Sequence, residues 1–279
     1  MAKAETDLQK MLANGADPKE LPWYEPKIND VPEPAKTILE SYSKIPPGQV
    51  LQHVMDVFPY PCIGSFRFLD LSIPQSPAYP EVLQRLKSGQ NFLDVGCAIG
   101  QEIRQLIYDG VPQKQIYASD LRRDFFDLGY DLFADSETMK AEFIVADIFD
   151  ENSELVQKLA GKVDIVNAAS FFHLFSWDKQ VEAVKRVITL LRPQAGSLLI
   201  GRQAGQNNPK DPYDKQDPPK NYRHDIDSWK SLWVQVGRET GTKWLVDAWK
   251  EEWQGLDKGF DKWHVDVQSF KLRFVVRRL

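Results

Sequence analysis

Between Asn91 and Gly201 short apolar runs alternate with amphipathic stretches, and this alternation restricts the chain more than any other feature it carries. The runs NFLDV, QIYAS, EFIVA, VDIVNAA and SLLIG read as strands. Residues 99–108, 122–133, 153–159 and 177–191 read as helices. In the last of these Val181, Val184, Val187, Ile188 and Leu191 recur at helical spacing before Pro193 and Gly196 stop it. Strand and helix in steady succession mean a parallel sheet, because each parallel step needs a crossover that lies on one face of it.

The flanks break the pattern. Prolines recur every few residues from Leu21 to Pro80, which excludes long helices there. This region is expected to wrap over the open crevice as an aromatic-rich lid, with Trp23, Tyr24, Phe58, Tyr60, Phe66 and Phe68 packed beneath it. The chain thus divides into a lid, residues 1–80, and a ligand-binding domain, residues 81–279, with a short helix around Tyr79–Lys87 at the junction. Gly205 to Ile226 is polar enough to read as an exposed insertion. A Trp-rich helix near Ser228–Gly237, a strand TKWLVDAW, a second excursion to His264 and a final strand SFKLRFVVRRL follow. Closing on a strand hairpin sets the chain apart from a plain doubly wound domain.

A chain of 279 residues can bury a full core within one large α/β domain. Its net charge of -5 gives no basic footprint for nucleic acid, and no apolar run is long enough to span a bilayer. The only cysteines are Cys62 and Cys97, so a disulfide framework is not indicated, and the N-terminus lacks the apolar centre of a signal peptide. A cytoplasmic setting is expected.

In a doubly wound sheet, ligands bind beyond the carboxyl ends of the strands. Four strand ends here carry polar side chains: Asp94, Asp120, Asp147 and Asn167. Each acid can cap the following helix or hold a ligand, and three in register favour the ligand. The dinucleotide fingerprint needs glycine at its first, third and sixth positions, which hold Gly96, Ala98 and Gln101; the turn closes early, at Gly100. Asp94 would repel a pyrophosphate and suits a cationic ligand such as S-adenosylmethionine. Asp120 can take both ribose hydroxyls, Asp147 the adenine amino group, and Ile148 the ring.

LDVGCAIG, SDLR and ADIF at this spacing, with the closing hairpin, resemble the class I S-adenosylmethionine-dependent methyltransferases over residues 91–279. The resemblance implies a Rossmann-like, mostly parallel sheet with a C-terminal antiparallel hairpin. It also implies S-adenosyl-L-methionine as methyl donor, held by Asp94, Gly96, Cys97, Gly100, Asp120, Leu121, Asp147, Ile148 and Asn167. Ala98 stands where that family usually has glycine. IPPGQV, FPYPCIGSFRFLDL, YPEVLQRLKSG, DLGYDLF, AASFFHLFSWDKQV and LLRPQAGSLLIGRQAG further resemble fungal methyltransferases of meroterpenoid biosynthesis. That likeness implies formation of the methyl ester of a farnesylated aromatic acid.

A carboxylate, with a pKa of about 4, is already ionised at neutral pH and needs aim rather than a base; a phenol, at about 10, needs a proton acceptor. His173, in NAASFFHLF after the fourth strand, can orient a carboxylate, deprotonate a phenol, or sit hydrogen-bonded among the surrounding phenylalanines. Arg202 and Gln203, expected at the end of the fifth strand, and Arg67 can meet a substrate acid or form structural pairs. His53, His224 and His264 are dispersed and read as surface or loop histidines. No metal is expected, since their spacing fits no site and no acids remain for magnesium. A regulator that binds the cofactor without turnover is the other reading of such a fold. The aromatic N-terminal segment offers a surface for a homodimer.

Overall fold

The computed structural model describes residues 28–56, 66–214, 219–253 and 269–279. Its helices are α1 (Val50–Asp56), α2 (Tyr79–Lys87), α3 (Gln101–Tyr108), α4 (Arg123–Phe133), α5 (Glu154–Leu159), α6 (Trp177–Leu190) and α7 (Ile226–Thr240). The strands are β1 (Phe92–Val95), β2 (Ile116–Asp120), β3 (Glu142–Val145), β4 (Ile165–Ala169), β5 (Leu198–Gln206), β6 (Trp244–Glu251) and β7 (Ser269–Arg278). They form one sheet in the order β3-β2-β1-β4-β5-β7-β6, parallel except for β7, which runs against both its neighbours. The expected Rossmann-like sheet with its antiparallel close is what the chain forms.

Pleating sorts the side chains between two cores. Leu93, Val166, Leu199 and Val276 share one face and pack with Val181, Val184, Val187, Trp229 and Leu232 of α6 and α7. Phe92, Ile165 and Leu198 share the other and pack with Val82 and Leu86 of α2 and Ile103 and Leu106 of α3. Burial of each such side chain contributes about 1.5–3 kcal/mol.

Residues 28–56 and 66–78 contain only short helical pieces, as their prolines require. Ala35–Thr37 runs into a π-helical turn, Ile38–Tyr42, and single 3-10 turns follow at Pro47–Gln49, Arg67–Leu69 and Ile73–Gln75. They build a third core, in which Ile28, Leu39, Val54, Phe66 and Phe68 meet Ile99, Leu132 and Phe133. The segment therefore lies along α3 and α4 and reaches the sheet through residues 70–75. The line drawn between residues 80 and 81 runs through α2, whose Glu81 takes both Nη atoms of Arg277 on β7 at 2.8 and 2.7 Å. Trp23, Tyr24, Phe58, Tyr60, Cys62 and His264 lie outside the described residues.

Two expectations need correction. The fifth strand extends to Gln206 because β7 pairs with it along its whole length, to Gln206↔Ser269, so Arg202 and Gln203 sit in mid-strand. The polar stretch after it is not all exposed: Tyr222 and His224 are buried in an aromatic group with Trp177 and Trp229. His224, expected at the surface, contacts Gln180 Oε1 at 3.0 Å and Ser228 Oγ at 3.1 Å, and burial lowers its pKa to about 3. A neutral imidazole with both nitrogens engaged is what a core position allows.

Candidate active site

Strand order reverses between β1 and its two neighbours, β2 and β4, so the crevice opens at the carboxyl end of β1. Asp94 on β1 stands in register with Asn167 on β4, whose Nδ2 donates to Asp94 Oδ1 at 2.7 Å. Asp94 is buried, and its Oδ2 meets no donor among the described residues. Desolvation, with smaller contributions from the charges of Glu102 and Asp120, pushes this carboxyl well above the usual range against the pull of Asn167. A buried carboxylate oxygen without a donor is costly, and a cation would relieve it.

After β1 the backbone turns through left-handed conformations at Gly96, Ala98 and Gly100, with φ of 69°, 48° and 71°. At Gly96 a Cβ would stand 2.7 Å from Phe171 Cδ2, so that turn can approach the stretch after β4 only as glycine. Ala98 tolerates its conformation at roughly 1–2 kcal/mol, while its N–H donates to Asp120 Oδ2 at 2.9 Å. The alanine thus leaves the turn intact. Cys97 is buried, and desolvation raises its thiol well above the ordinary value, so what it offers a ligand is backbone.

Asp120 ends β2, and its Oδ1 accepts from Arg122 N at 3.2 Å. Ala98, Arg122 and Leu121 supply backbone donors to this carboxylate, whose two oxygens carry about four lone-pair sites. Burial raises its pKa, opposed first by the bond from Ala98. Leu121 follows with 66% of its surface exposed, an apolar side chain left bare beside the acid. β3 ends at Val145, so Asp147 lies two residues beyond it, exposed, with Oδ1 accepting from Phe149 N at 2.9 Å. That bond closes a local turn of the capping kind, and Ile148 is buried with Ile144 and Leu155.

His173 is buried in a single 3-10 turn, Phe172–Leu174, two residues past the Phe171 that backs Gly96. The rings of Phe171, Phe172 and Phe175 stack edge to face around that turn. Ser170, left-handed at φ 55°, donates its N–H to Arg202 O at 2.6 Å and ties the turn to β5. Arg202 is buried, with Nη1 2.9 Å from Asp70 Oδ2 and Nη2 donating to Asp70 O at 2.8 Å. Lys271 Nζ approaches the same Asp70 Oδ2 at 3.3 Å. Arg67 and Lys271 lie 5.6 and 5.9 Å from the ring centre of Trp253. Gln203 is buried, and neither atom of its amide has a partner among the described residues.

The sheet therefore brings together Asp94, Asn167, the glycine turn and Asp120 at one point, and Arg202, Lys271 and Asp70 at the neighbouring strand pair. These features fit S-adenosylmethionine: an orphaned buried carboxylate oxygen for its cationic end, a spare acceptor site on Asp120 for a hydroxyl, and bare Leu121 for a ring.

A family model described as a meroterpenoid methyltransferase N-terminal domain matches residues 23–69, and one described as a methyltransferase domain matches residues 92–194. The chain is 44% identical to O-methyltransferase phiE of a fungal species, over 93% of each chain. It is 45% identical to asnovolin E/chermesin D methyltransferase nvfJ of Aspergillus novofumigatus, over 81% of this chain and 84% of that one. The chain belongs to the fungal meroterpenoid methyltransferases. Phosphoethanolamine N-methyltransferase 2 of Haemonchus contortus, solved with S-adenosyl-L-methionine, shares the fold with a TM-score of 0.53 and 13% identity, over 87% of this chain and 59% of that one.

In this methyltransferase the buried charges that escaped the sequence reading include Glu102, Arg104 and Lys271. Glu102 and Arg104 lie on α3, whose polar residues an amphipathic pattern assigns to solvent; Ser72 and Ile73 of the N-terminal segment bond Glu102, and Tyr130, Phe133 and Phe143 enclose Arg104. Lys271 gave a readable signal: in SFKLRFVVRR, Lys271, Arg273 and Val275 alternate onto one face of a strand that is buried.

Proposed function

We propose that this S-adenosylmethionine-dependent methyltransferase forms the methyl ester of a small carboxylic acid, a farnesylated aromatic polyketide of fungal meroterpenoid metabolism. The observation that carries the acid reading is the convergence of Arg202 and Lys271 on one carboxylate, that of Asp70, level with the carboxyl end of β4. Two cations on one carboxylate leave a net positive charge there, which suits an anionic substrate better than a neutral phenol. The name of the Aspergillus relative, a methyltransferase of asnovolin E and chermesin D, supports a meroterpenoid substrate.

Bound S-adenosylmethionine supplies a methyl group on a sulfonium, which needs a nucleophile held on axis in a dry pocket. Asp94 takes the cationic end of the cofactor, Asp120 the ribose, and Leu121 and Ile148 flank the base near Asp147. The substrate carboxylate is ionised without help, so His173 serves as an orienting donor, and Arg67 and Arg202 serve as donors to the acid, while Gln203, next along β5, points to the other face of the sheet.

Incubation with S-adenosylmethionine and a panel of fungal terpenoid-polyketide acids, followed by mass spectrometry, tests the reading. A gain of one methylene mass on an acid is expected. Gain only on phenols lacking a carboxyl group would contradict it.

A further inference from the structure

The β1–α3 turn is held from behind by a buried cation that the reaction itself does not call on. Arg104 of α3 is fully buried. Its Nε and Nη2 donate to Asp135 Oδ2 and Oδ1 at 2.9 and 2.8 Å, a bidentate pair. Its Nη1 donates to Ile99 O at 2.7 Å and to Gly100 O at 3.3 Å, both carbonyls of the turn. Phe133, Phe143 and Tyr130 enclose the guanidinium, with ring centres 4.7, 5.4 and 5.6 Å away. Asp135, just past the end of α4, also accepts the Tyr42 hydroxyl at 2.8 Å. Tyr42 closes the π-helical turn of the N-terminal segment, 93 residues earlier in the chain.

We propose that Tyr42, Asp135 and Arg104 form a positioning relay by which the N-terminal segment fixes the shape of the cofactor turn. Three alternate positions of the turn, Gly96, Ala98 and Gly100, are left-handed, and its Ala98 N–H must point at Asp120. Nothing in its own sequence enforces that geometry, since glycine is permissive and alanine resists it. The grip on the Ile99 and Gly100 carbonyls enforces it. Asp135 sets the plane of the guanidinium, because a bidentate pair allows one orientation. Tyr42 fixes the carboxylate in turn, so docking of the N-terminal segment and readiness of the turn are one event. Gly129 of α4 shows how tight the packing is: a Cβ there would stand 2.3 Å from Ile99 O and 3.2 Å from Arg104 Nη1.

The relay rests on the S-adenosylmethionine reading, and the test separates the two. Calorimetry with S-adenosylhomocysteine on the full chain compares wild type, Tyr42→Phe and Arg104→Lys, and amide hydrogen exchange is followed at residues 96–104. Tyr42→Phe is expected to weaken binding about tenfold, the effect of losing a hydrogen bond to a charged group when it is felt at the site. Exchange at residues 96–104 should quicken while that of β6 and β7 stays put. Arg104→Lys, which cannot bridge both oxygens, should do more; if it does not fold, Tyr42→Phe decides alone. A Tyr42→Phe protein with lowered thermal stability but unchanged affinity and unchanged exchange at the turn would overturn the relay and leave the function standing. A wild-type chain that takes up no S-adenosylhomocysteine would overturn both.

Discussion

Glu102 of α3 accepts the backbone N–H of Ile73 at 3.0 Å, which fastens the N-terminal segment to the helix that follows the cofactor turn. Its other oxygen takes Ser72 N, and the residue is buried. Desolvation outweighs these two bonds and raises its pKa from 4.5 to about 6. Because the folded value is the higher one, the associated stability is fully present below pH 4.5 and is lost as pH rises through 6, a change on the order of 2 kcal/mol. Thermal melts of Glu102→Gln should therefore show a flatter pH dependence across this window than wild type. Parallel curves would show that Glu102 is not the group responsible.

Asp94→Asn should move stability and cofactor binding in opposite directions. The substitution removes a buried charge whose pKa is raised by desolvation, yet its amide oxygen can still accept from Asn167. Stability at pH 8 should rise, whereas affinity for S-adenosylmethionine should fall at least about tenfold through loss of a charge-assisted contact. In wild type the cationic ligand needs the ionised form, so affinity should increase with pH through the raised pKa, with proton release seen by calorimetry in two buffers. Equal affinities for the two proteins would remove Asp94 from the site.

Gly129→Ala tests the contact between α4 and the turn. The added methyl meets the Ile99 carbonyl, a backbone atom that cannot swing aside, and should cost about 1–3 kcal/mol in urea unfolding. An unchanged midpoint would mean that α4 does not lie against the turn.

Much of this architecture could be read from local pattern. The β1 turn announced itself because glycine and a strand-end acid are local signals, and Asp94, Gly96, Gly100 and Asp120 fell where the alternation put them, whereas Asn167, expected at a strand end, is the central residue of β4. What escaped depends on contacts between distant segments. The length of β5 is set by pairing with β7, and Ser269 stands opposite Gln206 although neither stretch of sequence shows it. Tyr222 and His224 looked solvent-bound amid Asn, Asp and Lys, but Trp177, Gln180 and Trp229 make a polar-lined recess for them. Arg104 and Asp135 each resemble an exposed charge, but they pair with each other, Tyr130, Phe133 and Phe143 enclose the guanidinium, and Tyr42 reaches Asp135 from 93 residues away. Asp147 showed the opposite failing, since a regular alternation put it in register with Asp94, which is buried, and Asp120, which is half-buried, while it is exposed.

His173→Gln separates orientation from base catalysis. An amide keeps a donor for a carboxylate but cannot take a proton from a phenol. With cofactor affinity intact, the variant should retain appreciable rate on the acid substrate; a fall of about a hundredfold or more, with wild-type activity lost as pH drops through about 6.5, would mark His173 as a general base.

The central claim is that the methyl group goes to a carboxylate oxygen. The most direct measurement uses S-adenosylmethionine labelled in its methyl group, a substrate bearing both a carboxyl and a phenol, and mild alkaline hydrolysis of the isolated product. An ester releases the label as methanol and regenerates the acid, and this is the result predicted. Label that survives the alkali on the aromatic ring oxygen would contradict it.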